Sequence, residues 1–186
     1  RRLAVKQQII ALEQALQQAQ HLLHQDDLTP LLNRRGFRRA CDQWANGDVK
    51  AASACCVMVD LDGFKAINDR HGHEAGDRLL VLIADALSHA ARAGDYCARL
   101  GGDEFVVLAS VPADEGGAAL AALQKRLYEA TRGHFELGDG IAIDYAGPSI
   151  GVILAPADQH DVDAVLALAD AAMYSVKRLR RADRPR

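Results

Sequence analysis

The sequence has no long apolar run, little net charge and few cysteines, and each shortage narrows the class of protein. No stretch of this sequence is long enough to span a bilayer, and we expect a cytoplasmic chain without a signal peptide or a membrane segment. The formal net charge of -3 gives no general attraction to nucleic acid or to membrane surfaces. The cysteines form no C-x-x-C pair, which favours reduced, mostly buried thiols: Cys41, Cys55, Cys56 and Cys97.

The first 25 residues differ in composition from the rest of the chain. A length of 186 residues suits one domain plus an appendage, and 49% apolar residues are enough for a sizeable core. Residues 1–25 lack glycine and proline, and their apolar residues alternate spacings of four and three, as in a coiled coil: Val5, Ile9, Leu12, Leu16, Ala19 and Leu23. An amphipathic helix packed on its own domain would show the same stripe. We therefore divide the chain into a signalling helix, 1–25, and a globular domain, 26–186.

Helical and strand-like patterns alternate in the globular part and predict an α/β fold, with a mixed central sheet flanked by helices. Helices are expected at about 31–44, 64–70, 75–91, 117–131 and 161–180. Strands are expected at 54–60, in a hairpin over 95–109, and at 140–145 and 149–154. Cys55 and Cys56 are neighbours on the first strand, so they should point to opposite faces of the sheet.

A glycine pair followed by two acids separates the arms of the predicted hairpin. Gly101 and Gly102 can take the positive φ angles of a tight turn and let a ligand approach the backbone closely. Asp103 and Glu104 come next, and two neighbouring carboxylates at a turn repel each other. A Mg²⁺ ion would remove that repulsion, because it prefers carboxylate oxygens. A solvated hairpin tip has a similar composition, so the turn alone leaves both interpretations open.

A second acidic segment follows the apolar run at 54–59. Asp60 and Asp62 stand at the carboxyl end of this buried strand, where α/β sheets bind ligands. The helix that follows offers unpaired N–H groups from about residue 63 to 65, and Lys65 adds a positive charge there. This places an anion site beside the predicted metal. The alternative for Asp62 or Asp69 is capping of the helix.

Together these segments resemble the GGDEF domain, the catalytic domain of bacterial diguanylate cyclases. The resemblance rests on motifs in the family's order at 26–35, 60–69, 72–77, 101–105, 149–152 and 169–177. It implies a five-stranded sheet flanked by helices, related to the palm of nucleotidyl cyclases and polymerases. It also implies the condensation of two GTP molecules into cyclic di-GMP and two pyrophosphates.

The resemblance implies a role for each matching residue. Asp60, Asp103 and Glu104 would be catalytic, and with the Leu61 carbonyl they would hold two Mg²⁺ or Mn²⁺ ions. Which group takes the proton stays open between Asp103 and a metal-bound hydroxide. Residues implied in binding GTP are Phe64, Lys65, Asn68, Asp77, Gly101, Gly102, Lys177 and Arg181.

Within that set, the resemblance implies that Lys65, Lys177 and Arg181 hold the β- and γ-phosphates. It implies that Asn68 and Asp77 select guanine, whose donor pattern adenine lacks. Several of these residues also have a purely structural explanation. Asn68 could cap the C-terminus of a helix, Asp77 could be a favourable charge in the first turn of a helix, and the basic stretch from Lys177 could be an ordinary helix C-terminus.

The resemblance also implies a product-inhibition site at Arg92 and Asp95, an R-x-x-D pattern just ahead of the glycine pair. Arg126 is a candidate second arginine for binding cyclic di-GMP there. The alternative is a local ion pair between Arg92 and Asp95. The resemblance further implies a homodimer, because each domain holds one GTP, and an upstream sensory domain.

The chain departs from the family's pattern at two places. Pro30 stands where glycine is usual, and Arg180-Arg181-Ala182 replaces the usual G-R-N, so the turn glycine is absent. Two alternatives to a cyclase also remain: a non-catalytic receptor for cyclic di-GMP, and an interaction module in which residues 1–25 are the functional part.

Overall fold

The computed structural model describes residues 2–46, 52–112, 116–155 and 161–182. The helices are α1 (Arg2–His24), α2 (Arg34–Ala45), α3 (Phe64–His71), α4 (His73–Ala90), α5 (Gly116–Ala130) and α6 (Val162–Ala182). The strands are β1 (Ala52–Asp60), β2 (Tyr96–Gly101), β3 (Glu104–Pro112), β4 (Gly133–Gly138), β5 (Ile141–Tyr145) and β6 (Ser149–Ala155). Every element expected from the sequence is present within a few residues of its predicted bounds.

The main sheet has the strand order β2-β3-β1-β6, and each neighbouring pair in it is antiparallel. The α/β class with flanking helices is confirmed, whereas the expectation of a mixed sheet is wrong for these strand pairs. β1 and β2 run in the same direction, but β3 folds back through the tight turn and lies between them. Parallel pairing among the described residues is limited to an isolated bridge between Leu32 and Ala98.

The sequence pattern does not predict β4, which pairs with β5 in a separate two-stranded sheet. The four described strands of the main sheet therefore differ from the five that the resemblance implies. β4 is short and bounded by glycines, and Phe135 and Leu137 are its large apolar residues. The hairpin docks on α4 through Arg78, which donates to the Leu137 carbonyl at 2.6 Å and to Asp139 at 2.8 Å.

β1 is an inner strand that is buried on both faces, as its continuous apolar run predicts. One face packs against α4 and α5, with Cys55 and Val57 against Leu79, Ile83 and Leu127. The other face packs against α2 and α6, with Cys56 and Met58 against Phe37, Leu166 and Met173. Cys55 and Cys56 thus point to opposite faces, and burial raises the pKa of both thiols to about 12.

α6 lies very close to β6 at Gly151. A Cβ on this glycine would be 2.1 Å from the backbone nitrogen of Met173 and 2.6 Å from the carbonyl oxygen of Ala169. The close approach requires a residue without a side chain, which explains the glycine of the 149–152 motif in physical terms. It also brings the carboxyl-terminal half of α6 over the end of β1.

α1 leaves its apolar stripe exposed. Five residues of the stripe are at least 51% exposed: Val5, Ile9, Leu12, Leu16 and Leu23. The stripe is therefore not packed on its own domain, which removes that alternative for residues 5–23. Within the part of the chain that the structure describes, no helix combines the length and apolarity needed to cross a bilayer.

Candidate active site

Asp60 is the last residue of β1 and lies opposite Glu104 on β3 and Ser149 on β6. Its position in the alternation of β1 puts it on the α6 face of the sheet, and it is only 7% exposed. A buried carboxylate at a strand end needs a partner. The Nζ atom of Lys177 on α6 supplies one, donating to Asp60 Oδ1 at 2.5 Å.

The glycine pair forms the tight turn that the sequence predicts. Gly101 and Gly102 have φ angles of 145° and 51°, in the region that favours glycine. Arg99 braces the turn by donating from Nε to the Gly102 carbonyl at 2.9 Å. The backbone N–H of Leu61 donates to the Asp103 carbonyl at 3.2 Å, so the turn is joined directly to the end of β1.

The carboxylates that meet here destabilise one another. Burial and then the charge of Asp60 raise the pKa of Asp103. Burial raises the pKa of Glu104 too, followed by Asp60, Asp170 and Asp103. Such mutually repelling acids fit a hard divalent cation, which would neutralise them. Yet no group of three Asp, Glu, His or Cys side chains within the described ranges forms a preformed metal site. Lys177 instead neutralises Asp60.

A cavity of about 440 Å³ opens beside these acids. It is lined by six residues for which the family resemblance implies binding of metal or GTP: Leu61, Phe64, Lys65, Asp103, Lys177 and Arg181. Gly63, with a φ of 78°, turns the chain from β1 into α3, so the N-terminus of α3 also faces the cavity. Cationic side chains and helix N–H groups therefore lie beside a carboxylate cluster, as a nucleotide triphosphate with its metal requires.

Asp62 does not cap α3, because the N-cap residue is Gly63 and has no side-chain hydrogen bond. Its Oδ2 atom instead accepts from Ser149 Oγ at 2.7 Å and from Arg180 Nη1 at 3.1 Å. The sequence reasoning missed these partners of Asp62. Arg180 lies three residues after Lys177, so the helical period alone places both cations on one face of α6.

Asn68 and Asp77 do not line this cavity. Asn68 lies on α3 and packs against Gly76 of α4, where a Cβ would be 1.8 Å from Asn68 Oδ1. That Oδ1 atom is buried and accepts no hydrogen bond from the described residues. Asn68 also does not cap α3 with its side chain, since the Gly72 N–H donates to the Asn68 backbone carbonyl. The exposed Asp77 follows Gly76 directly.

A separate groove of about 290 Å³ contains Arg92, Asp95 and Arg126. Asp95 Oδ2 accepts from the backbone N–H of Arg92 at 2.7 Å, so it holds the turn rather than the Arg92 guanidinium. Arg126 Nε donates to the Ala90 carbonyl at 2.7 Å. The structure thus brings the three candidate residues together, and the described contacts differ from the ion pair that was the alternative.

The junction after α1 is linked to the glycine turn by an ion pair that sequence reasoning also missed. Arg99 Nη1 donates to Asp26 Oδ2 at 3.1 Å, and both side chains are about 15% exposed. Burial alone would raise the pKa of Asp26, but hydrogen bonds from Thr29 and Arg99 outweigh it and lower that pKa. Arg99 contacts Asp26 and the Gly102 carbonyl with one guanidinium, so it connects the two segments directly.

Comparison with known proteins agrees with this geometry. The sequence model of the family "Diguanylate cyclase, GGDEF domain" matches residues 23–183. The diguanylate cyclase DgcP of Escherichia coli is 35% identical over 154 residues, which are 82% of this chain and 44% of DgcP. A crystal structure of a sensory box/GGDEF family protein from Caulobacter crescentus is 38% identical with a TM-score of 0.76, covering 83% of this chain and 98% of that one.

A further likeness concerns the fold alone. The coiled coil and GGDEF domain of DgcB from Caulobacter crescentus, solved in complex with c-di-GMP, is 24% identical with a TM-score of 0.80. The match covers 95% of this chain and 93% of that one. The chain spans less than half the length of the first curated relatives that it matches. Since the family match extends over nearly the whole sequence, the chain belongs to the diguanylate cyclase, GGDEF domain family.

Proposed function

We propose that this chain is a diguanylate cyclase, which condenses two GTP molecules into cyclic di-GMP and two pyrophosphates. One observation carries the proposal. Three mutually repelling acids, Asp60, Asp103 and Glu104, lie beside a cavity that is lined by cationic side chains. This combination suits phosphoryl transfer, which depends on positioning and on neutralising charge.

Two Mg²⁺ or Mn²⁺ ions would be held by Asp60, Asp103 and Glu104 with the Leu61 carbonyl. When bound, they would neutralise the phosphate charge and lower the pKa of the attacking 3′-hydroxyl. Burial and then the charge of Asp60 raise the pKa values of Asp103 and Glu104, and a bound cation would relieve both costs by stabilising the ionised carboxylates, which supports this assignment.

Lys65, Lys177 and Arg181 would bind the triphosphate. All three line the cavity, and Lys177 also contacts Asp60, so its ammonium is placed to neutralise either the carboxylate or a phosphate. The N-terminus of α3 adds N–H groups, and Gly101 and Gly102 allow the ligand to approach the turn closely. Phe64 lines the same cavity.

Asn68 and Asp77 would recognise guanine. The unpaired, buried Oδ1 atom of Asn68 supports this role, because a buried acceptor without a donor is costly and guanine offers N1–H and N2–H₂ donors. Both residues lie next to Gly76, whose lack of a side chain leaves the Asn68 amide in place.

The reaction joins two GTP molecules, so we propose that it takes place between two copies of this chain. The exposed apolar stripe of α1 supports a parallel pair of helices that raises the local concentration of the second domain. An upstream sensory domain would act through the same helix. The groove at Arg92, Asp95 and Arg126 would bind cyclic di-GMP as an inhibitor, by its arginines and its apolar lining.

Incubation with GTP and MgCl₂, followed by separation of the nucleotides, tests the proposal. We expect cyclic di-GMP with two pyrophosphates per product, no product in EDTA, and none from ATP. Direct binding of radiolabelled cyclic di-GMP belongs in the same experiment. If the protein binds cyclic di-GMP but makes none, it is a receptor rather than a cyclase. If it neither binds nor makes cyclic di-GMP, the interaction module is the remaining interpretation.

A further inference from the structure

Arg180 joins parts of the molecule whose connection none of the proposed roles explains. Its Nη1 atom donates to Asp62 Oδ2 at 3.1 Å and to the backbone carbonyls of residues 147 and 148, which precede β6. Its Nη2 atom donates to the Tyr128 hydroxyl at 3.2 Å, and its guanidinium lies 5.4 Å from the centre of the Tyr128 ring. One side chain of α6 thus contacts the β1–α3 turn, the start of β6 and α5.

Two cationic side chains of α6 contact two carboxylates at the end of β1. Lys177 and Arg180 are three apart on one helical face, and they contact Asp60 and Asp62, two apart on the chain. The two pairs differ in what surrounds them. Lys177 reaches into a carboxylate cluster, whereas Asp62 is only 10% exposed and receives hydrogen bonds from both Arg180 and Ser149. Both hydrogen bonds are accepted by the Oδ2 atom, so protein groups hold this oxygen of Asp62.

We propose that Arg180 is a positioning residue for the triphosphate site; this rests on the proposed function. Its guanidinium fixes the turn at 61–65, which provides the Leu61 carbonyl, Lys65 and the first N–H groups of α3. The turn passes through the left-handed Gly63, where an added Cβ would meet no atom within 4 Å, so no side chain packs against the turn at this point. Asp62 and Arg180 both line the cavity, and their contact holds the Oδ2 atom of Asp62 on protein groups.

The planar guanidinium suits this task better than an ammonium. It presents several N–H donors in a fixed fork, and here they are divided between a carboxylate, backbone carbonyls and a hydroxyl. Arg180 stands where the family's pattern has glycine, and a glycine would make none of these contacts. The positioning contact is thus a feature of this chain rather than of the motif it resembles.

Arg180→Gln tests the proposal, with Arg178→Gln as the matched control. Arg178 is the same residue type on the same helix and is exposed, and its side chain makes no hydrogen bond or ion pair with the described residues. For Mg·GTP, we expect Arg180→Gln to lower kcat/KM by about tenfold, mainly through KM, because phosphate contacts stabilise ground and transition states alike. Hydrogen exchange should accelerate about fivefold or more in peptides covering 61–66 and 146–149. The control should change neither quantity.

Two further variants separate positioning from general stability. Asp62→Asn breaks the same contact from its other side, so it should raise KM and accelerate the same peptides. Arg180→Lys keeps the charge without the fork, so it should recover only part of the effect. Unchanged KM and exchange in Arg180→Gln, or a fall in kcat alone, would overturn the proposal. A wild-type protein that makes no product refutes the cyclase instead, while the exchange data still decide whether Arg180 fixes the turn.

Discussion

Replacing Gly151 by alanine should push α6 away from the sheet. The added Cβ would lie 2.1 Å from the Met173 nitrogen, 2.5 Å from the Met173 Cα and 2.6 Å from the Ala169 carbonyl oxygen. Ordinary van der Waals contact begins at about 3.4 Å, so the helix has to withdraw by roughly 1.3 Å at this point. All three atoms belong to the backbone, so no change of side-chain rotamer relieves the overlap.

The withdrawal should cost both stability and activity. Overpacking of this kind costs about 1–3 kcal/mol, which lowers the Tm of a domain of this size by roughly 2–12 °C. α6 also carries Lys177 and Arg180, whose contacts with Asp60 and Asp62 depend on the present distance between helix and strand. A displacement of about 1 Å in such groups can lower kcat/KM by about 100-fold, and we expect a loss of that order.

Thermal unfolding and the initial rate of pyrophosphate release from GTP measure the two effects. Gly117→Ala is the control, because it makes the same change on α5, where the new Cβ would meet no atom within 4 Å. It should leave the Tm unchanged or raise it, since alanine favours the helix. Adding Met173→Ala to Gly151→Ala should not restore activity, because the overlap is with the backbone. A Gly151→Ala protein with wild-type Tm and rate would refute the close contact.

Four other predictions concern separate parts of the molecule. Asp103→Asn should abolish product yet leave the Tm at pH 7 equal or higher: burial and then Asp60 raise the pKa of Asp103, so its ionised form opposes folding above the ordinary carboxyl range. Full activity would remove Asp103 from the mechanism. Asp26→Asn should lower the Tm at pH 7, and the difference should shrink as the pH falls below 3.8, because the lowered pKa gives stability that is lost as the folded carboxylate is protonated. A Tm difference that is independent of pH would mean that the charge of Asp26 is irrelevant. Arg92→Ala should keep the initial rate and let product accumulate further in a time course; equal plateaus would make the Arg92–Asp95 turn purely structural. Deleting residues 1–25 should lower specific activity in dilute protein, as a dilution series would show; activity independent of concentration in a monomeric sample contradicts the dimer.

Local chemistry explains why the acidic site was predictable from the sequence. A continuous apolar run ending in Asp60 places that carboxylate at a strand end, and Gly101-Gly102 requires a tight turn. Antiparallel pairing of the two segments then sets Asp60 opposite Glu104. The alternation of Cys55 and Cys56 followed from the strand period alone. Each of these inferences depends on a few neighbouring residues.

Contacts between residues far apart in the chain could not be predicted from the sequence pattern. Lys177 and Arg180 are 117 and 118 residues from the carboxylates that they contact, and the pairing depends on how α6 is rotated over the sheet. The prediction of a mixed sheet was wrong for the same reason, because the insertion of β3 beside β1 depends on tertiary packing. β4 was missed because its alternation covers only His134 to Leu137, between glycines at both ends, and is too short to separate from a loop.

The burial of β1 on both faces has a consequence for how its pairing is specified. In most antiparallel strands a slip of one residue would expose apolar side chains, and hydrophobicity alone prevents it. Here both faces are apolar, so a slip would exchange Cys56 and Met58 for Cys55 and Val57 at little hydrophobic cost. It would, however, turn Asp60 away from Lys177 and toward α4, into an apolar core. The ion pair between Asp60 and Lys177 therefore also favours the correct alignment of the central strand over its nearest competitor.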